Sequence, residues 1–313
     1  MNDKVVQEAL ALWRMDGAKT TLAANRENAV YQAEIKGKKF AIRLHRTGYR
    51  TRDELTSELD WMAELSKNGL LVPIPVEAKD GAFCHLINGI HVDVLTWLKG
   101  EPMGREGKPA RLPDADQTYH ALGRAMARLH KVSDEWQQPD GFTRPSWDIE
   151  GLVGEAPVWG RFWDNQALSK RQVEKFSSLR IRAHNELTQH QPVTDFGLIH
   201  ADLVPDNVLV DGATVKLIDF DDGGFGFRLF DIATTLNKAA HRDSYDGHRK
   251  EFLSGYQSVK EIDLELLPLF QALRALTYVG WIVPRIAEKD AASRNYRFIS
   301  AAEYWCDCLE SGS

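Results

Sequence analysis

The chain has 313 residues, of which 43% are hydrophobic, and this is enough for one large domain or two lobes. Its formal net charge of −6, without a basic cluster that interleaves with aromatics, argues against nucleic acid as a partner. Three cysteines are too few for a disulfide framework, and we find neither a signal peptide nor a membrane-spanning apolar run. We therefore expect a cytoplasmic protein that does not associate with a membrane.

The N-terminal part of the chain is predicted to combine two helices with a sheet. Apolar residues at helical spacing predict an amphipathic helix over Val5–Met15. A second helix over Thr51–Lys67 begins with acidic residues and carries an apolar face. Strands separated by polar turns are predicted at Thr21–Ala24, Ala29–Ile35, Phe40–Leu44, Ala82–Leu86 and Ile90–Leu95.

The C-terminal part is predicted to be mainly helical. Its Trp-rich stretch, Trp136–Trp163, fits core packing better than the wall of a ligand site. Gly223–Phe227 is expected to form a turn, and Arg228, which follows it, is a candidate contact for an anionic group of a substrate. Apolar periodicity predicts helices at Asp116–His130, Lys170–Thr188, Tyr245–Gln257, Leu264–Ile286 and Tyr296–Leu309.

The most informative stretch of the sequence is Leu198–Gly224. Two β-branched runs, Val208–Val210 and Val215–Ile218, flank an Asp-Gly turn and predict a hairpin. Polar residues crowd both outer ends of this hairpin. Because a hairpin brings its outer ends together, we expect three of these polar side chains to converge: Asp202, Asn207 and Asp219.

These three residue types suit transfer of a phosphoryl group. Asn207 and Asp219 offer the hard oxygen ligands that Mg²⁺ takes when substrate phosphates complete its coordination shell. Asp202 lies five residues before Asn207, far enough along a loop to face a substrate hydroxyl rather than the metal. One Asp at the hydroxyl, with an Asn and a second Asp at the metal, is the division of roles in kinase-type phosphoryl transfer.

The sequence from His200 to Asn207, followed by Ile218-Asp219-Phe220-Asp221, resembles the catalytic core of the aminoglycoside phosphotransferase/choline kinase family. The resemblance implies an α+β, bilobal protein-kinase-like fold, with a small antiparallel-sheet N-lobe and a mainly helical C-lobe. It places the N-lobe at 1–97, the hinge at about 94–99 and the C-lobe at 98–313. It also implies a structural role for two residues near the catalytic loop, His200 and Asp231.

The resemblance also implies residues that bind the nucleotide. Arg43 stands where the family strand carries its phosphate-contacting Lys, and Glu58 stands where a helix carboxylate pairs with that basic residue, with Glu54 as a competitor. The loop Ala23–Asn28, which would cover the nucleotide, contains no glycine. Asn28 in this loop is a candidate contact, and the hinge backbone at Leu95 and Trp97 is expected to contact the adenine edge.

The function expected from this pattern is an ATP- and Mg²⁺-dependent phosphotransferase that acts on the hydroxyl of a small molecule. Two alternatives stay open. One is a protein Ser/Thr kinase of the bacterial stress-response type. The C-terminal patterns Ala272–Tyr278 and Glu303–Trp305 resemble a bacterial branch that contains these kinases and the homoserine-kinase-like proteins. The other is a nucleotide-binding pseudokinase that serves as an interaction module, because the strand Lys and the glycine-rich loop are missing. Neither the acceptor nor the oligomeric state can be derived from the sequence.

Overall fold

The computed structural model describes residues 2–25, 28–104, 112, 114–190, 195–238 and 244–311, which form two compact units. Unit 1 contains Met1–Arg111, Glu135–Arg144 and Asn207–Asp221, and unit 2 contains Leu112–Asp134, Pro145–Asp206 and Asp222–Ser313. The predicted division at residue 97 remains a prediction. Parts of the predicted nucleotide loop (Arg26 and Glu27) and of the segment after the hinge (residues 105–111 and 113) lie outside the described residues.

The elements confirm the predicted α+β composition. Two predicted elements, the strand Ala29–Ile35 and the helix Tyr245–Gln257, have the predicted bounds. In chain order the elements are α1 (Asn2–Leu12), β1 (Lys19–Asn25), β2 (Ala29–Ile35), β3 (Lys38–Leu44), α2 (Arg52–Lys67), β4 (Cys84–Ile87), β5 (Ile90–Thr96), β6 (Glu101–Pro102), α3 (Ala115–Glu135), β7 (Ser146–Trp147), α4 (Ile149–Val153), α5 (Lys170–His190), β8 (Phe196–Ile199), β9 (Val208–Asp211), β10 (Thr214–Leu217), β11 (Gly224–Phe227), α6 (Arg228–Asn237), α7 (Tyr245–Gln257), α8 (Leu267–Trp281) and α9 (Ala291–Ser311).

Unit 1 is built on an antiparallel five-stranded sheet in the order β1-β2-β3-β5-β4. The turn between β4 and β5 uses Asn88 and Gly89 with φ of 50° and 80°, and this left-handed pair suits the right-handed twist of a hairpin. Alternate side chains of the strands pack on α1 to form the core of this unit: Val5, Val6, Ala9, Leu10, Ala33, Ile42, Leu44, Val92 and Val94.

Helix α2 begins at a capping box. The Thr51 side chain accepts a hydrogen bond from the Glu54 N–H, and the Glu54 carboxylate accepts one from the Thr51 N–H. This arrangement satisfies two backbone donors that the helix itself leaves unpaired. It also assigns Glu54 to the helix start, while Glu58, one turn later, is fully buried.

A second, smaller sheet of unit 1 carries the predicted catalytic hairpin. Its strand order is β10-β9-β6, and Val208 pairs with Leu217 at the open end of the β9–β10 hairpin. Beyond this pair the Ile218 N–H donates to the Asn207 carbonyl over 3.0 Å. Asn207 and Asp219 therefore lie at the same end of the hairpin.

Unit 2 is mainly helical, and its three-stranded sheet has the order β7-β11-β8. The turn predicted at Gly223–Phe227 is wrong, because Gly224–Phe227 form strand β11, antiparallel to β8 and parallel to β7. A Cβ on Gly224 would meet the Pro145 carbonyl oxygen at 2.1 Å. Glycine here permits close approach of two backbones rather than a turn.

No helix among the residues that the structure describes is long and apolar enough to cross a membrane.

Candidate active site

The loop that follows β8 is held in place by the carboxylate of Asp231. Asp231 is fully buried at the start of α6, and its two oxygens accept hydrogen bonds from the backbone N–H groups of His200 and Ala201 over 2.9 and 2.8 Å. Ala201 has a φ of 63°, which is an unfavourable conformation for a residue with a Cβ. Asp231 therefore stabilises a strained turn directly before Asp202.

His130 completes this arrangement from α3. Its Nε2 lies 3.0 Å from an Asp231 oxygen and its Nδ1 lies 2.8 Å from the Tyr256 hydroxyl. Burial, together with the nearby Arg228, lowers the pKa of His130 to about 4. The neutral ring then donates through Nε2 to Asp231 and accepts through Nδ1 from Tyr256, so His130 has a structural role.

Asp231→Ala is expected to lower the free energy of unfolding by at least about 3 kcal/mol, because three buried donors lose a charged acceptor. Urea unfolding followed by circular dichroism measures this change. Asp231→Asn keeps one acceptor oxygen, so its free energy of unfolding should fall by less. An unchanged midpoint for Asp231→Ala would contradict the bracing role.

Asp202, the predicted catalytic base, lies in unit 2 and pairs with a cation that the sequence did not indicate. Arg274 on α8 donates from Nη2 to Asp202 Oδ1 over 2.6 Å, and the Tyr278 hydroxyl lies 3.5 Å from the same oxygen. Burial raises the pKa of Asp202 to about 6, against the lowering effect of Arg274 and with a further increase from Asp222. A carboxylate in this range is largely ionised at neutral pH yet able to accept a proton.

Aromatic rings enclose the Arg274 guanidinium. Its central carbon lies 4.5 Å from the ring centroid of Trp159 and 4.3 Å from that of Tyr278. The Lys238 ammonium also lies over the Tyr278 ring, at 4.2 Å, and the Trp159 Nε1 donates to Asp222 over 3.3 Å. The side of unit 2 that contains Asp202 thus combines both signs of charge with aromatic surface. We call Trp159, Asp222, Lys238, Arg274 and Tyr278 the aromatic–charged cluster.

The donor set at the hairpin's open end fits magnesium. Asn207 and Asp219 supply one amide and one carboxylate oxygen, and Asp219 is exposed with a φ of 69°. The described residues contain no group of three or more His, Cys, Asp or Glu side chains that would hold a metal by themselves. Magnesium is commonly bound by one or two carboxylates together with substrate phosphates, so this partial set is the expected kind. Convergence of Asp202 with these two residues remains a prediction.

Arg43 on β3 is held by two buried carboxylates of unit 1. Its Nη1 donates to Glu58 over 2.6 Å, while its Nε and Nη2 each donate to a different oxygen of Asp93 over 2.8 Å. Asp93 is the direct cross-strand partner of Arg43 on β5. Of the two carboxylates that the sequence left open, Glu58 is therefore the one that contacts Arg43.

The pKa values of these buried carboxylates depend on the cations beside them. Burial by itself raises the pKa of Asp93, but Arg43 and His45 outweigh it, and the net pKa is lowered. The same competition, with Arg43 and Arg144 as the cations, lowers the pKa of Glu58. All three nitrogens of the Arg43 guanidinium donate to carboxylates. Its predicted contact with nucleotide phosphates therefore depends on the second N–H of each terminal nitrogen.

The other predicted nucleotide contacts all lie in unit 1. Asn28 directly precedes β2, and its side-chain oxygen accepts from the Arg46 N–H over 3.2 Å. Leu95 is buried in β5, and the Trp97 N–H donates to the Lys39 carbonyl over 3.1 Å. The adenine-edge contact expected from the backbone at Leu95 and Trp97 stays a prediction.

One candidate from the sequence is wrong. Arg228 is fully buried and donates to the Leu198 carbonyl and to Asp134, so it supports β8 rather than facing a substrate anion. Three charged residues that contact predicted site residues, Asp93, Arg144 and Arg274, were not predicted from the sequence. A lone Asp in the otherwise apolar run Val92–Leu95 was the available signal for the first of them.

Similarity to known proteins agrees with this geometry. The chain matches the phosphotransferase enzyme family over residues 20–268. A homoserine kinase of Sinorhizobium medicae is 31% identical over 238 residues, which cover 72% of this chain and 67% of that protein. An amicoumacin kinase of Bacillus subtilis is 24% identical over 89% of this chain and 84% of that protein.

Solved structures extend the similarity to nearly the whole chain. A microcompartment-associated aminopropanol kinase has a TM-score of 0.87 and 29% identity, with 99% of this chain and 98% of that chain covered. An amicoumacin kinase in complex with AMP-PNP and Ca²⁺ has a TM-score of 0.76 and 22% identity, with 96% and 92% covered. The α+β bilobal kinase-like fold predicted from the sequence is thus confirmed, and the chain belongs to the aminoglycoside phosphotransferase/choline kinase family and is a phosphotransferase with an alcohol group as acceptor.

Proposed function

We propose that this protein transfers the γ-phosphoryl group of ATP, with Mg²⁺, to the hydroxyl of a small amino alcohol. The observation that carries the proposal is the placement of Asp202. It follows a turn that Asp231 holds rigid, it has a pKa of about 6, and it lies five residues before the hard oxygen donor Asn207. A carboxylate so placed suits proton acceptance from an acceptor hydroxyl.

On the nucleotide side, Asn207 and Asp219 would hold Mg²⁺, whose charge offsets the charge on the phosphates. Arg43, oriented by Glu58, would contact the phosphates through its planar fork. The carboxylates of Asp93 and Glu58 keep Arg43 in one rotamer. Positioning and electrostatics supply most of the rate in this reaction, so a rigid donor set is what the chemistry requires.

The acceptor class is suggested by the aromatic–charged cluster. Asp222 and Asp202 favour an ammonium group, while Arg274 and Lys238 limit how much net positive charge the acceptor can carry. Homoserine and aminopropanol, named for two of the relatives, are both small amino alcohols. An aromatic surface beside the carboxylates suits the ammonium group that both compounds carry.

The proposal is tested by ATP turnover with Mg²⁺ against a panel of amino alcohols, with and without a carboxylate, beside sugars, aminoglycosides and a peptide library. Asp202→Ala serves as the blank. We expect turnover with at least one amino alcohol and none with peptides. Phosphorylated peptides would favour a protein kinase, and tight Mg·ATP binding without turnover of any acceptor would favour a pseudokinase.

The proposed base predicts a pH dependence. Because burial raises the Asp202 pKa to about 6, the ionised form that accepts a proton is lost as the pH falls through 6. At saturating nucleotide, kcat/KM for the acceptor should be constant above neutral pH and fall about tenfold per unit well below 6. The Asp202→Asn variant, measured in parallel, should lack this inflection. A wild-type profile that is flat from pH 5 to 8 would contradict the assignment.

A further inference from the structure

Arg144 is a buried residue that joins two segments of unit 1. It ends the stretch Glu135–Arg144, which runs between helix α3 and strand β7, and its side chain has no exposed surface. Burying a guanidinium is strongly unfavourable unless well-placed acceptors surround it. The acceptors that Arg144 contacts therefore indicate what it does.

Each terminal nitrogen of Arg144 faces a different segment. Nη1 donates to the Glu54 carbonyl over 2.9 Å and lies 3.5 Å from the Glu58 carboxylate, both on α2. Nη2 donates to the carbonyls of Phe220 and Asp221 over 2.9 and 2.7 Å. One planar side chain thus connects the helix that orients Arg43 to the two peptide groups that follow Asp219.

A second contact joins the same two segments. The buried Phe220 ring packs edge-on against Trp61 of α2, with ring centroids 5.2 Å apart. Asp219 itself is exposed and has a φ of 69°, an unfavourable conformation for a residue with a Cβ. The backbone at Asp219 therefore needs support from its neighbours, and Arg144 binds the two that follow it.

The charges lead to the same conclusion. Glu58 is shared between Arg43 and Arg144, so the two guanidinium groups are linked through one buried carboxylate. Without Arg144, Glu58 would retain Arg43, whereas the two carbonyl groups that follow Asp219 would lose the hydrogen bonds from Arg144. Loss of Arg144 should therefore affect the position of Asp219 more than that of Arg43.

We propose that Arg144 is a positioning residue that fixes the Asp219 carboxylate relative to the Arg43–Glu58 pair, so that the metal and the phosphates of one nucleotide are bound together. This inference rests on the proposed function. Arg144 belongs neither to the motif around Asp202 nor to the predicted nucleotide contacts, so the role is an additional one. Loss of Arg144 should reduce the increase in nucleotide affinity that Mg²⁺ produces.

The test is calorimetric binding of AMP-PNP in EDTA and in Mg²⁺ to the whole protein. Wild type is compared with Arg144→Lys, Arg144→Met and a matched control, Arg180→Met. Arg180 lies on α5 in unit 2 and likewise binds one carbonyl (Val153) and one carboxylate (Glu155), over 2.7 and 2.6 Å. Thermal unfolding establishes that each variant folds, and Arg144→Lys, which keeps the charge but not the fork, is the variant to use if Arg144→Met does not.

We expect Mg²⁺ to strengthen AMP-PNP binding to wild type, and this gain to shrink about tenfold in Arg144→Met and by a smaller factor in Arg144→Lys. Affinity in EDTA should change by no more than about twofold in either variant, since the phosphate contacts at Arg43 remain. Arg180→Met should keep the wild-type gain even if its melting temperature falls.

Two results would overturn this inference while leaving the proposed function intact. One is a magnesium gain in Arg144→Met, or in Arg144→Lys where that variant replaces it, equal to that of wild type. The other is an equal loss of affinity with and without Mg²⁺, which would mean that Arg144 only stabilises the fold. A wild-type protein without any magnesium gain would instead overturn the proposed function, and the inference with it.

Discussion

Asp202→Ala is expected to lower kcat by about a thousandfold, because removal of a positioned general base typically costs between about a hundredfold and ten-thousandfold. The loss should appear in kcat and in kcat/KM alike, since the base acts in the transition state rather than in the binding of the nucleotide. Steady-state kinetics with the acceptor found in the panel measure both constants.

Nucleotide affinity provides the internal check on this variant. AMP-PNP binding with Mg²⁺ should stay within about threefold of wild type, because Asp202 is assigned to the acceptor and not to the metal. Asp206→Ala, in the same loop, serves as the matched control and should keep wild-type turnover. Normal turnover of Asp202→Ala would remove Asp202 from the mechanism.

Asp219→Ala is expected to have an effect of similar size through a different constant. A metal ion that offsets charge on the phosphoryl group contributes several kcal/mol, so loss of one of its two proposed protein ligands should weaken Mg·AMP-PNP binding at least about a hundredfold. Metal-free binding should change little. Titration calorimetry at several magnesium concentrations separates the two effects.

The hairpin supplies a control within the same element. Asp211 lies at the turn end of β9, exposed, with the Lys216 ammonium 2.9 Å from its carboxylate. Asp211→Ala removes an equal charge from the same hairpin at its other end and should leave the metal gain intact. Equal effects of the two substitutions would show that general charge, and not metal coordination, underlies the result at Asp219.

The β9–β10 hairpin could be predicted from the sequence because its signals are local. β-branched runs around an Asp-Gly turn specify β9 and β10, and the register of a hairpin then brings Asn207 and Asp219 to one end. The brace at Asp231 was predicted only through the family resemblance, since its partners His200 and Ala201 lie some thirty residues away along the chain.

The buried ion cluster could not be predicted in the same way. Asp93 and Arg144 reach Arg43 and Glu58 through strand pairing and packing between residues that are 50 and 86 positions apart. The glycines of β11 led to a wrong prediction for a related reason. A Cβ added to Gly226 would lie 2.4 Å from the Ile199 side chain, so the small size of this glycine serves packing and not chain reversal. Such requirements appear only when the neighbouring segment is known.

The guanidinium on strand β3 has a practical consequence for detecting this protein in cell extracts. Covalent nucleotide probes for kinases usually acylate the amine of a lysine that lies beside the bound phosphates. Arg43 is the residue proposed for that place, and although burial alone would lower its pKa, Asp93 and Glu58 raise it well above its ordinary value, so it stays protonated and does not act as a nucleophile. A lysine-directed probe would therefore find no amine at position 43, whereas reversible capture on immobilised ATP analogues does not depend on an amine there.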